Sequence, residues 1–347
     1  MSVVALLPAH NEAANIQSAI SRLEGQTSPP DRIIVIADNC TDNTVEIAKS
    51  TGVEVFETVD NQDKKAGGLN QVLKDLIWEL EPEDVVLVQD ADSSLDEPFI
   101  ENAMKKVRVG YGAVGGVFRG DDRRGFVPHL QRNEYARYAR DVARLKGKCL
   151  VVTGTAALFK VAVLREISKA RQDGRIPAGD GNGGIYDTTV LTEDNEISFA
   201  IMHLGYKIIS PKDCTLVTET MPTWSDLWKQ RLRWKRGAVE NCVQYGLTRI
   251  TWRYWGRQVF TAMGVLVTAI YLATLIWAIA TGTLTLYPFW AAITLIFVFE
   301  RVVTVRYRGW RFMLPAATMY ELSLDLFLQA CHAKAYFDSI FRVKRSW

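Results

Sequence analysis

The stretch Val85-Val86-Leu87-Val88-Gln89-Asp90-Ala91-Asp92 is an apolar run that ends in two aspartates two positions apart. A short apolar run bounded by polar residues predicts a buried strand over Val85–Gln89. Two carboxylates where a strand enters a loop can turn toward one point and bind a hard divalent cation. Mg²⁺ and Mn²⁺ take one or two protein carboxylates together with substrate phosphates. Because Asp-x-Asp is common at strand ends, its meaning depends on the rest of the chain.

Strand and helix patterns alternate around this stretch. The predicted strands are Val3–Leu7, Arg32–Ala37, Val53–Phe56 and Val85–Gln89, and the predicted helices are Glu12–Glu24, Asn43–Ser50 and Gly68–Leu80. This alternation predicts an α/β fold with a mostly parallel central sheet. Ligands of such sheets bind outside the carboxyl ends of the strands. We therefore expect Pro8–Glu12, Asp38-Asn39 and Asp90–Asp92 to lie along one crevice.

The next part of the chain is less regular. The patterns predict a helix at Asn133–Lys146, a short strand and turn at Val151–Thr155, a helix at Ala156–Ile167 and a long amphipathic helix at Trp224–Tyr245. Gly179–Gly184 is rich in glycine but lacks the lysine of a phosphate-binding loop. It is interpreted as a surface loop, with a cover over the site as the alternative.

Composition excludes several classes of protein. The net charge of +2 provides no global field toward nucleic acid, so no nucleic-acid partner is expected. The five cysteines are scattered without a Cys-x-x-Cys pair, which indicates neither a zinc site nor a disulfide framework. The apolar start of the chain is short and lacks preceding basic residues, so it is interpreted as the first strand rather than a secretory signal.

A membrane-anchoring region is predicted over residues 247–347, after an N-terminal α/β domain over residues 1–246. Residues 258–299 contain no Asp, Glu, Lys or Arg. A bilayer crossing needs about 20 apolar residues, so we predict transmembrane helices at about 259–280 and 284–305. The alternative is a buried hairpin in a soluble core. Residues 312–341 predict an interfacial helix or a third crossing.

The flanking cations predict the orientation of this region. Arginines flank the predicted crossings but are absent from the connecting turn, and these are Arg249, Arg253, Arg257, Arg301, Arg306, Arg308 and Arg311. The positive-inside rule then puts the large N-terminal domain and the C-terminus in the cytoplasm, so we expect a multi-pass membrane protein.

Six motifs occur in the order seen in membrane-bound family 2 glycosyltransferases. They are Pro8–Glu12, Asp38–Asp42, Lys65–Asn70, Asp90–Asp92, Thr192–Asp194 and Gln230–Trp234. The chain resembles that family, which has the GT-A fold and includes cellulose, hyaluronan and poly-N-acetylglucosamine synthases. The resemblance covers about residues 3–245, and the predicted membrane hairpin also fits it.

The resemblance implies roles on the donor side. It assigns nucleotide binding to five residues, which are Ala9, Glu12, Asp38, Lys65 and Asp90. It assigns the binding of Mg²⁺ or Mn²⁺ to Asp92. A carboxylate such as Asp38 can accept the imide N–H of uracil. The alternatives are ordinary turn chemistry for Asp38, a solvated lysine for Lys65 and solvated turn aspartates for Asp90 and Asp92.

On the acceptor side, Asp194 is predicted to be the general base of an inverting transfer. Thr192-Glu193-Asp194 opens a predicted helix, whose macrodipole favours anions and would keep the carboxylate ionised. The alternative is that Glu193 and Asp194 only stabilise that first turn. Thr153-Gly154-Thr155 also matches a family segment near the acceptor pocket, although a short polar turn explains it as well.

Gln230, Arg233 and Trp234 are spaced to share one helix face. The resemblance assigns acceptor binding to Gln230 and Trp234. It assigns diphosphate binding to Arg231 and Arg233, and it places Glu193 in this acceptor and diphosphate region. A guanidinium fork suits phosphate oxygens, and an indole face suits the apolar side of a sugar. The alternative for this basic stretch is a surface over anionic lipid.

The sequence therefore predicts an inverting, metal-dependent transferase that moves a hexose or N-acetylhexosamine from a UDP-sugar to a saccharide, lipid or protein acceptor. The alternatives are a membrane-tethered sugar-nucleotide-binding protein without turnover and a dehydrogenase. A dehydrogenase should carry Gly-x-Gly-x-x-Gly where this chain has Pro8–Glu12. Processive and single additions both remain open, and homo-oligomerisation could supply further membrane helices.

Overall fold

The computed structural model describes residues 1–285, 287–306 and 309–344, and β-sheets organise the N-terminal part of the chain. The strands are β1 Val3–Ala9, β2 Arg32–Ala37, β3 Glu54–Glu57, β4 Val85–Gln89, β5 Ser94–Leu95, β6 Tyr111–Gly115, β7 Val117–Gly120, β8 Ala156–Lys160, β9 Lys207–Ile209 and β10 Thr215–Thr218. The central sheet has the order β3-β2-β1-β4-β8-β6-β9. A smaller sheet has the order β5-β10-β7.

The central sheet is mostly parallel, as predicted. Leu6 of β1 pairs in parallel register with Ile34 of β2 and Val88 of β4. Only β8 runs against its neighbours β4 and β6 within this sheet. The carboxyl ends of β1, β2 and β4 therefore lie along one edge, where the polar segments that follow them come together.

Eight helices surround these sheets in the first 246 residues. They are α1 Ile16–Glu24, α2 Thr44–Ser50, α3 Lys64–Glu79, α4 Phe99–Arg108, α5 Phe126–Arg144, α6 Val161–Gln172, α7 Glu193–His203 and α8 Trp224–Tyr245. Successive strand residues point to opposite faces of the sheet. Val4 and Leu6 accordingly join a core with α3, α6 and α7, whereas Val3, Ala5 and Leu7 join a core with α1 and α4.

Several predicted helices begin at other residues than expected: α5 begins at Phe126 rather than Asn133, and the segment predicted as a helix at Ala156–Ile167 begins with a strand. Ala156–Lys160 is strand β8, not the first part of a helix, and the helix begins only at Val161. The predicted strand at Val151–Thr155 is instead irregular. Ala156–Phe159 is buried on both faces of the sheet between β4 and β6. A strand buried on both faces has no alternating pattern, so its apolar run resembled a helix.

The C-terminal part is helical within the described residues. Its helices are α9 Trp252–Ala280, α10 Pro288–Thr304, α11 Trp310–Ala316 and α12 Leu322–Ile340. The segment predicted as one element over 312–341 is thus two helices, because residues 317–321 form a turn.

Among the described residues, α9 is the one helix that is long and apolar enough to cross a membrane, with a mean hydropathy of 2.2. None of the residues in its most apolar window is buried, so it is not the core helix of a soluble hairpin. With 17 residues, α10 is shorter than a crossing usually requires. The second predicted crossing includes Leu286, which lies outside the described residues, as does the flanking Arg308.

The C-terminal helices pack on the catalytic region. Along its length α12 contacts α8 and α9, and Leu324 is buried with Val127 of α5 and Leu227 of α8. At the start of α12, the buried Glu321 accepts hydrogen bonds from Asn133 at 2.7 Å and Arg301 at 2.8 Å. The two predicted domains therefore share an interface.

Candidate active site

The ends of β1 and β2 are held together by backbone contacts. The Asp38 N–H donates to the Ala9 carbonyl at 2.8 Å, and His10 Nδ1 donates to the Asp38 carbonyl at 2.6 Å. Each strand end turns through a left-handed asparagine, with φ of +57° at Asn11 and +49° at Asn39. Asparagine adopts this conformation more readily than most residues, which allows both chains to leave the sheet sharply.

Asp38 is buried, and one of its two carboxylate oxygens is fully engaged. Oδ1 accepts hydrogen bonds from Asn61 Nδ2 at 2.7 Å, Thr58 Oγ1 at 2.8 Å and Asn39 Nδ2 at 3.1 Å. Within the described ranges no donor contacts Oδ2. The side chain is therefore held in one orientation, with an oxygen left to accept an N–H from a ligand.

Glu12 follows β1 and faces other acidic groups. Its carboxylate accepts a hydrogen bond from Asn15 Nδ2 at 2.8 Å. Burial raises the pKa of Glu12, the Asn15 hydrogen bond opposes this, and the negative charges of Glu219 and Asp90 raise it further. Glu12 thus lies in the same negative field as the aspartates after β4.

Lys65, in the first turn of α3, joins two carboxylates that are far apart in the chain. Its ammonium forms an ion pair with Asp90, lies 3.6 Å from Glu193 Oε1 and donates to the Gly154 carbonyl at 2.9 Å. Burial alone would lower the pKa of Lys65, but the charges of Asp90 and Glu193 outweigh it and raise the pKa above its ordinary value. The lysine therefore stays cationic.

Asp92 carries a strongly shifted carboxyl group. Burial, then repulsion from Asp90, raises the pKa of Asp92 to about 7, although Ser93 Oγ donates to its Oδ1 at 2.9 Å. Glu12 and Glu219 add to the repulsion. This concentration of negative charge, all of it on carboxylate oxygens, suits a hard divalent cation.

No group of three or more Asp, Glu, His or Cys side chains is arranged to hold a metal ion in the described part of the chain. A cation bound at Asp92 would therefore complete its coordination with water and substrate phosphates, as Mg²⁺ and Mn²⁺ commonly do. The donor set fits such a cation, and the assignment stays a prediction.

Asp194 lies in the first turn of α7, as predicted, and contacts the turn before β8. Its Oδ2 accepts from the Gly154 N–H at 3.1 Å and its Oδ1 from the Asn195 N–H at 2.8 Å. A Cβ at position 154 would lie 3.2 Å from Oδ2, so a larger residue there would press on this carboxylate. Lys65, which contacts the Gly154 carbonyl, thus connects Asp194 to the donor-side aspartates.

The pKa of Asp194 is higher than the helix macrodipole alone would make it. The helix macrodipole was expected to favour the anion, but burial and the adjacent Glu193 charge raise the pKa of Asp194 to about 6. Lys65 and the two backbone N–H groups only partly offset this. A carboxylate with a pKa near 6 is mostly ionised at pH 7 and binds a proton more strongly than an ordinary aspartate, as a general base should.

Helix α8 is anchored beside Asp194 through Thr192, the residue before α7. Asn241 Nδ2 donates to the Thr192 carbonyl at 3.0 Å and to its Oγ1 at 3.2 Å. A Cβ at Gly237 would lie 2.4 Å from Thr192 Oγ1, so the two segments are in direct contact. Gln230 and Trp234 share the Gly237 side of α8, because they precede it by seven and three residues.

The two arginines of this helix differ in environment. Arg231 is buried, and its Nη2 donates to Glu134 Oε2 at 2.8 Å. Arg233 is exposed. Gln230 Oε1 and Arg231 Nε are buried without a hydrogen-bond partner among the described residues. Arg231 is therefore held against α5, whereas Arg233 can reach a solvated ligand.

Several residues of the site were missed in the sequence. Asn61 and Thr58 orient Asp38, Glu134 holds Arg231, and Glu219 adds charge near Asp92. None of these four lies in a recognised motif. In the sequence, Gly154 stood out only as part of the segment Thr153-Gly154-Thr155. In the structure its N–H donates a hydrogen bond to Asp194 and helps to orient that carboxylate.

A groove of about 800 Å³ lies beside this centre. It runs between α3, α6 and the Gly179–Gly184 loop, and Asn61 is the lining residue that also contacts Asp38. Neither Asp92 nor Asp194 lines it. The loop itself is tied to α6, since Ser168 Oγ donates to the Gly183 carbonyl at 2.7 Å.

Comparison with known proteins identifies the N-terminal region. The family model for glycosyl transferase family 2 matches residues 4–168, a span that includes β1 to β8, Asp38 and the aspartates after β4. The chain carries a family 2 glycosyltransferase domain. The resemblance found in the sequence is thereby confirmed.

Curated relatives match a longer part of the chain than the family model does. The poly-β-1,6-N-acetyl-D-glucosamine synthase of Staphylococcus epidermidis is 30% identical over 248 residues, which are 68% of this chain and 54% of the relative. The synthase of the same name from Staphylococcus aureus strain COL is 29% identical over 248 residues, with the same coverage. The chain thus spans about half the length of the curated relatives it matches.

A solved structure shares the fold over nearly the whole chain. A mannosyltransferase of Pyrobaculum calidifontis, solved with GDP-mannose and Mn²⁺, superposes with a TM-score of 0.65 at 20% identity. The match covers 99% of this chain and 88% of that one. At this identity the likeness shows the fold and not the substrate.

Proposed function

We propose that the family 2 glycosyltransferase domain makes this chain an inverting, metal-dependent hexosyltransferase. It would move a hexose or N-acetylhexosamine from a UDP-sugar to a saccharide, lipid or protein acceptor. The observation that carries the proposal is Lys65, which pairs with Asp90 and lies 3.6 Å from Glu193, beside Asp194. This contact joins the predicted donor side to the predicted base.

On the donor side, Ala9, Glu12 and Asp38 would hold the nucleotide base, with the open oxygen of Asp38 accepting the uracil imide N–H. Lys65 and Asp90 would lie next to the ribose and diphosphate. Mg²⁺ or Mn²⁺ at Asp92 would supply neutralising charge for the diphosphate when bound. The fold shared with a mannosyltransferase solved with Mn²⁺ supports this. Arg233 would face the diphosphate from α8, whereas Arg231, which the sequence also assigned to the diphosphate, is buried and paired with Glu134 and would act on the acceptor side.

On the acceptor side, Gln230 and Trp234 would border the incoming sugar or lipid, with Glu193 nearby. Asp194 would take the proton of the acceptor hydroxyl as that oxygen forms its bond to the anomeric carbon. The bond from the anomeric carbon to the diphosphate oxygen breaks in the same step, and the diphosphate leaves with the electron pair. Attack opposite the leaving group inverts the anomeric configuration.

The choice of sugar follows from the relatives. Synthases named for poly-N-acetylglucosamine, 30% identical over 248 residues, make UDP-N-acetylglucosamine the first donor to test. GDP-mannose, present in the structural neighbour, is the second. The sequence is compatible with both a processive and a single-addition enzyme, so the length of the product distinguishes them.

We also propose that the enzyme is a multi-pass membrane protein with its catalytic domain in the cytoplasm. α9 is the first crossing and α10 lies within the second, shorter one. Arginines at both cytoplasmic ends and none in the described part of the connecting turn support this orientation. The packing of α12 on α8 supports an interfacial rather than a transmembrane position for α12.

The test uses the full chain in detergent with a panel of UDP-sugars, GDP-mannose, Mn²⁺ or Mg²⁺, and oligosaccharides of β-linked N-acetylglucosamine as acceptors. UDP release and the anomeric configuration of the product are measured by NMR. A β-linked product from an α-linked donor, lost on addition of a chelator, supports the proposal. Donor binding without any product would instead support the sugar-nucleotide-binding alternative.

A further inference from the structure

Helix α5 reaches α8 at the tryptophan assigned to the acceptor. Glu134 of α5 pairs with Arg231 of α8, with Oε2 and Nη2 2.8 Å apart. The centre of the Arg231 guanidinium lies 4.5 Å from the centroid of the Trp234 ring and 5.7 Å from that of Tyr135. Glu134, Arg231 and Trp234 therefore form one continuous set of contacts.

Because Arg231 contacts both Glu134 and Trp234, the carboxylate of Glu134 can fix how the guanidinium meets the indole. Arg231 and Trp234 are three residues apart on α8 and share its surface. A planar guanidinium stabilises an indole best when it lies flat against the ring, and a carboxylate that accepts its N–H groups fixes that orientation. The exposed fractions of the two ion-pair side chains, 10% for Arg231 and 24% for Glu134, show that water competes little for this pair.

Removing the carboxylate would leave Arg231 without its partner in a buried place. Its Nε is already buried without a hydrogen-bond partner among the described residues. A buried cation that loses its counter-charge is costly, so the guanidinium would turn toward solvent and leave the indole. The contact that fixes the orientation of Trp234 would then be lost.

The face of α5 that carries Glu134 also approaches the predicted base. Tyr138 follows Glu134 by one helical turn and stacks on Phe118 with ring centroids 4.9 Å apart. Burial raises the pKa of Tyr138, and among the nearby charges Cys149 and Asp194 add to the rise. The charge of Asp194 thus acts on a side chain that lies one helical turn from Glu134 on α5.

We propose that Glu134 is a positioning residue for the acceptor, because it holds Arg231 over the Trp234 ring and so fixes the indole surface on which the acceptor sugar rests. The inference rests on the proposed function, in which Trp234 borders the acceptor. Glu134 acts through Arg231 and has no contact with the reacting atoms. It lies in α5, outside every motif that carried the family resemblance.

The experiment compares E134Q with the wild type in the full chain, with UDP-N-acetylglucosamine as donor and β-linked N-acetylglucosamine oligosaccharides as acceptors. The acceptor KM should rise about tenfold, which corresponds to about 1.4 kcal/mol. The donor KM and the rate of donor hydrolysis without acceptor should stay within about twofold. E134D, which keeps the charge, should restore part of the acceptor affinity.

A double mutant distinguishes a positioning role of Glu134 from a general loss of protein stability in E134Q. In a W234A background, E134Q should change the acceptor KM no further, because the residue through which it acts is gone. E240Q is the matched control: it breaks the Arg236–Glu240 pair of the same helix, whose side chains are 9% and 21% exposed. That variant should leave the acceptor KM unchanged.

Three results would overturn the inference. These are an unchanged acceptor KM in E134Q, a donor KM that rises equally, and an E134Q effect of the same size with and without Trp234. If E134Q does not fold, R231K replaces it, since it keeps the charge but loses the planar contact and should raise the acceptor KM alone. A wild type that makes no product refutes the proposed function itself, and the Glu134 inference with it.

Discussion

Lys65 Nζ lies 3.6 Å from Glu193 Oε1 while it also pairs with Asp90, so one ammonium connects the start of α7 with the end of β4. Glu193 is the neighbour of Asp194, and Asp90 shares its turn with Asp92. The turns that carry the predicted base and the predicted metal ligand are thus connected by a single, partly buried cation. Replacing Lys65 should therefore affect both the donor side at Asp90 and the base at Asp194.

The pH dependence of transfer should report Asp194. Burial and the Glu193 charge raise its pKa to about 6, and a general base must be unprotonated to act. Below pH 6 the carboxylate is increasingly protonated, so kcat should fall about tenfold per pH unit, whereas above pH 7 it should level off. A kcat profile measured from pH 4.5 to 8.5 at saturating donor checks this. A rate that stays flat down to pH 4.5 would contradict the assignment.

Replacing Lys65 with Met should shift that profile. The positive charge of Lys65 lowers the pKa of Asp194, so its removal raises this pKa and moves the acid limb to higher pH. The donor KM should also increase, because Asp90 loses its counter-ion. K105M is the control, since Lys105 is an exposed residue of α4 that pairs with Glu101. If the acid limb of the K65M profile lies at the same pH as in the wild type, the charge of Lys65 does not lower the pKa of Asp194, and the prediction is wrong.

The contact between α8 and Thr192 can be tested with one methyl group. In G237A the new Cβ would lie 2.4 Å from Thr192 Oγ1, so we expect a loss of about 1–3 kcal/mol of stability and reduced transfer. G256A is the matched helical control, because nothing lies within 4 Å of a Cβ built there. Alanine should stabilise α9 slightly at that position. Thermal unfolding in detergent and transfer rates are measured for both, and equal behaviour of the two variants would argue against tight packing at Thr192.

The interface between the catalytic and C-terminal regions depends on Glu321. Its side chain is 1% exposed and accepts hydrogen bonds from Asn133, Arg137 and Arg301. E321Q leaves Arg137 with a neutral partner and removes one of the carboxylates around Arg301, which still pairs with Asp325, so it should cost about 3 kcal/mol. E101Q breaks an exposed pair with Lys105 and should cost at most about 1 kcal/mol. Equal melting temperatures for the two variants would show that the buried network contributes little.

Much of the fold could be predicted from local patterns, and the exceptions have a common cause. β2, β4 and α8 have the predicted bounds because their apolar periodicity is strong and their ends are marked by polar residues. β8 could not be recognised, since a strand buried on both faces has no alternation. Its antiparallel direction depends on pairing with β4 and β6, which is a tertiary property.

In the candidate site, too, features marked by local sequence could be predicted, whereas features that depend on tertiary contacts could not. Motif positions such as Asp90, Asp92 and Asp194 were found because acidic residues at strand and helix ends are visible in the sequence. The raised pKa of Asp194 depends on burial, which the helix macrodipole does not reveal. Likewise Arg231 was assigned to the diphosphate from its motif, but its partner Glu134 lies 97 positions away and is evident only in the folded chain.

The central claim is that Asp194 removes the acceptor proton at a centre assembled around Lys65. The most direct measurement compares D194N with the wild type for donor affinity, by titration with UDP-N-acetylglucosamine, and for transfer to an oligosaccharide. Because the amide keeps the shape but cannot take a proton, transfer should fall by about 10²–10⁴-fold while donor affinity stays within about threefold. Undiminished transfer by a correctly folded D194N would contradict the account.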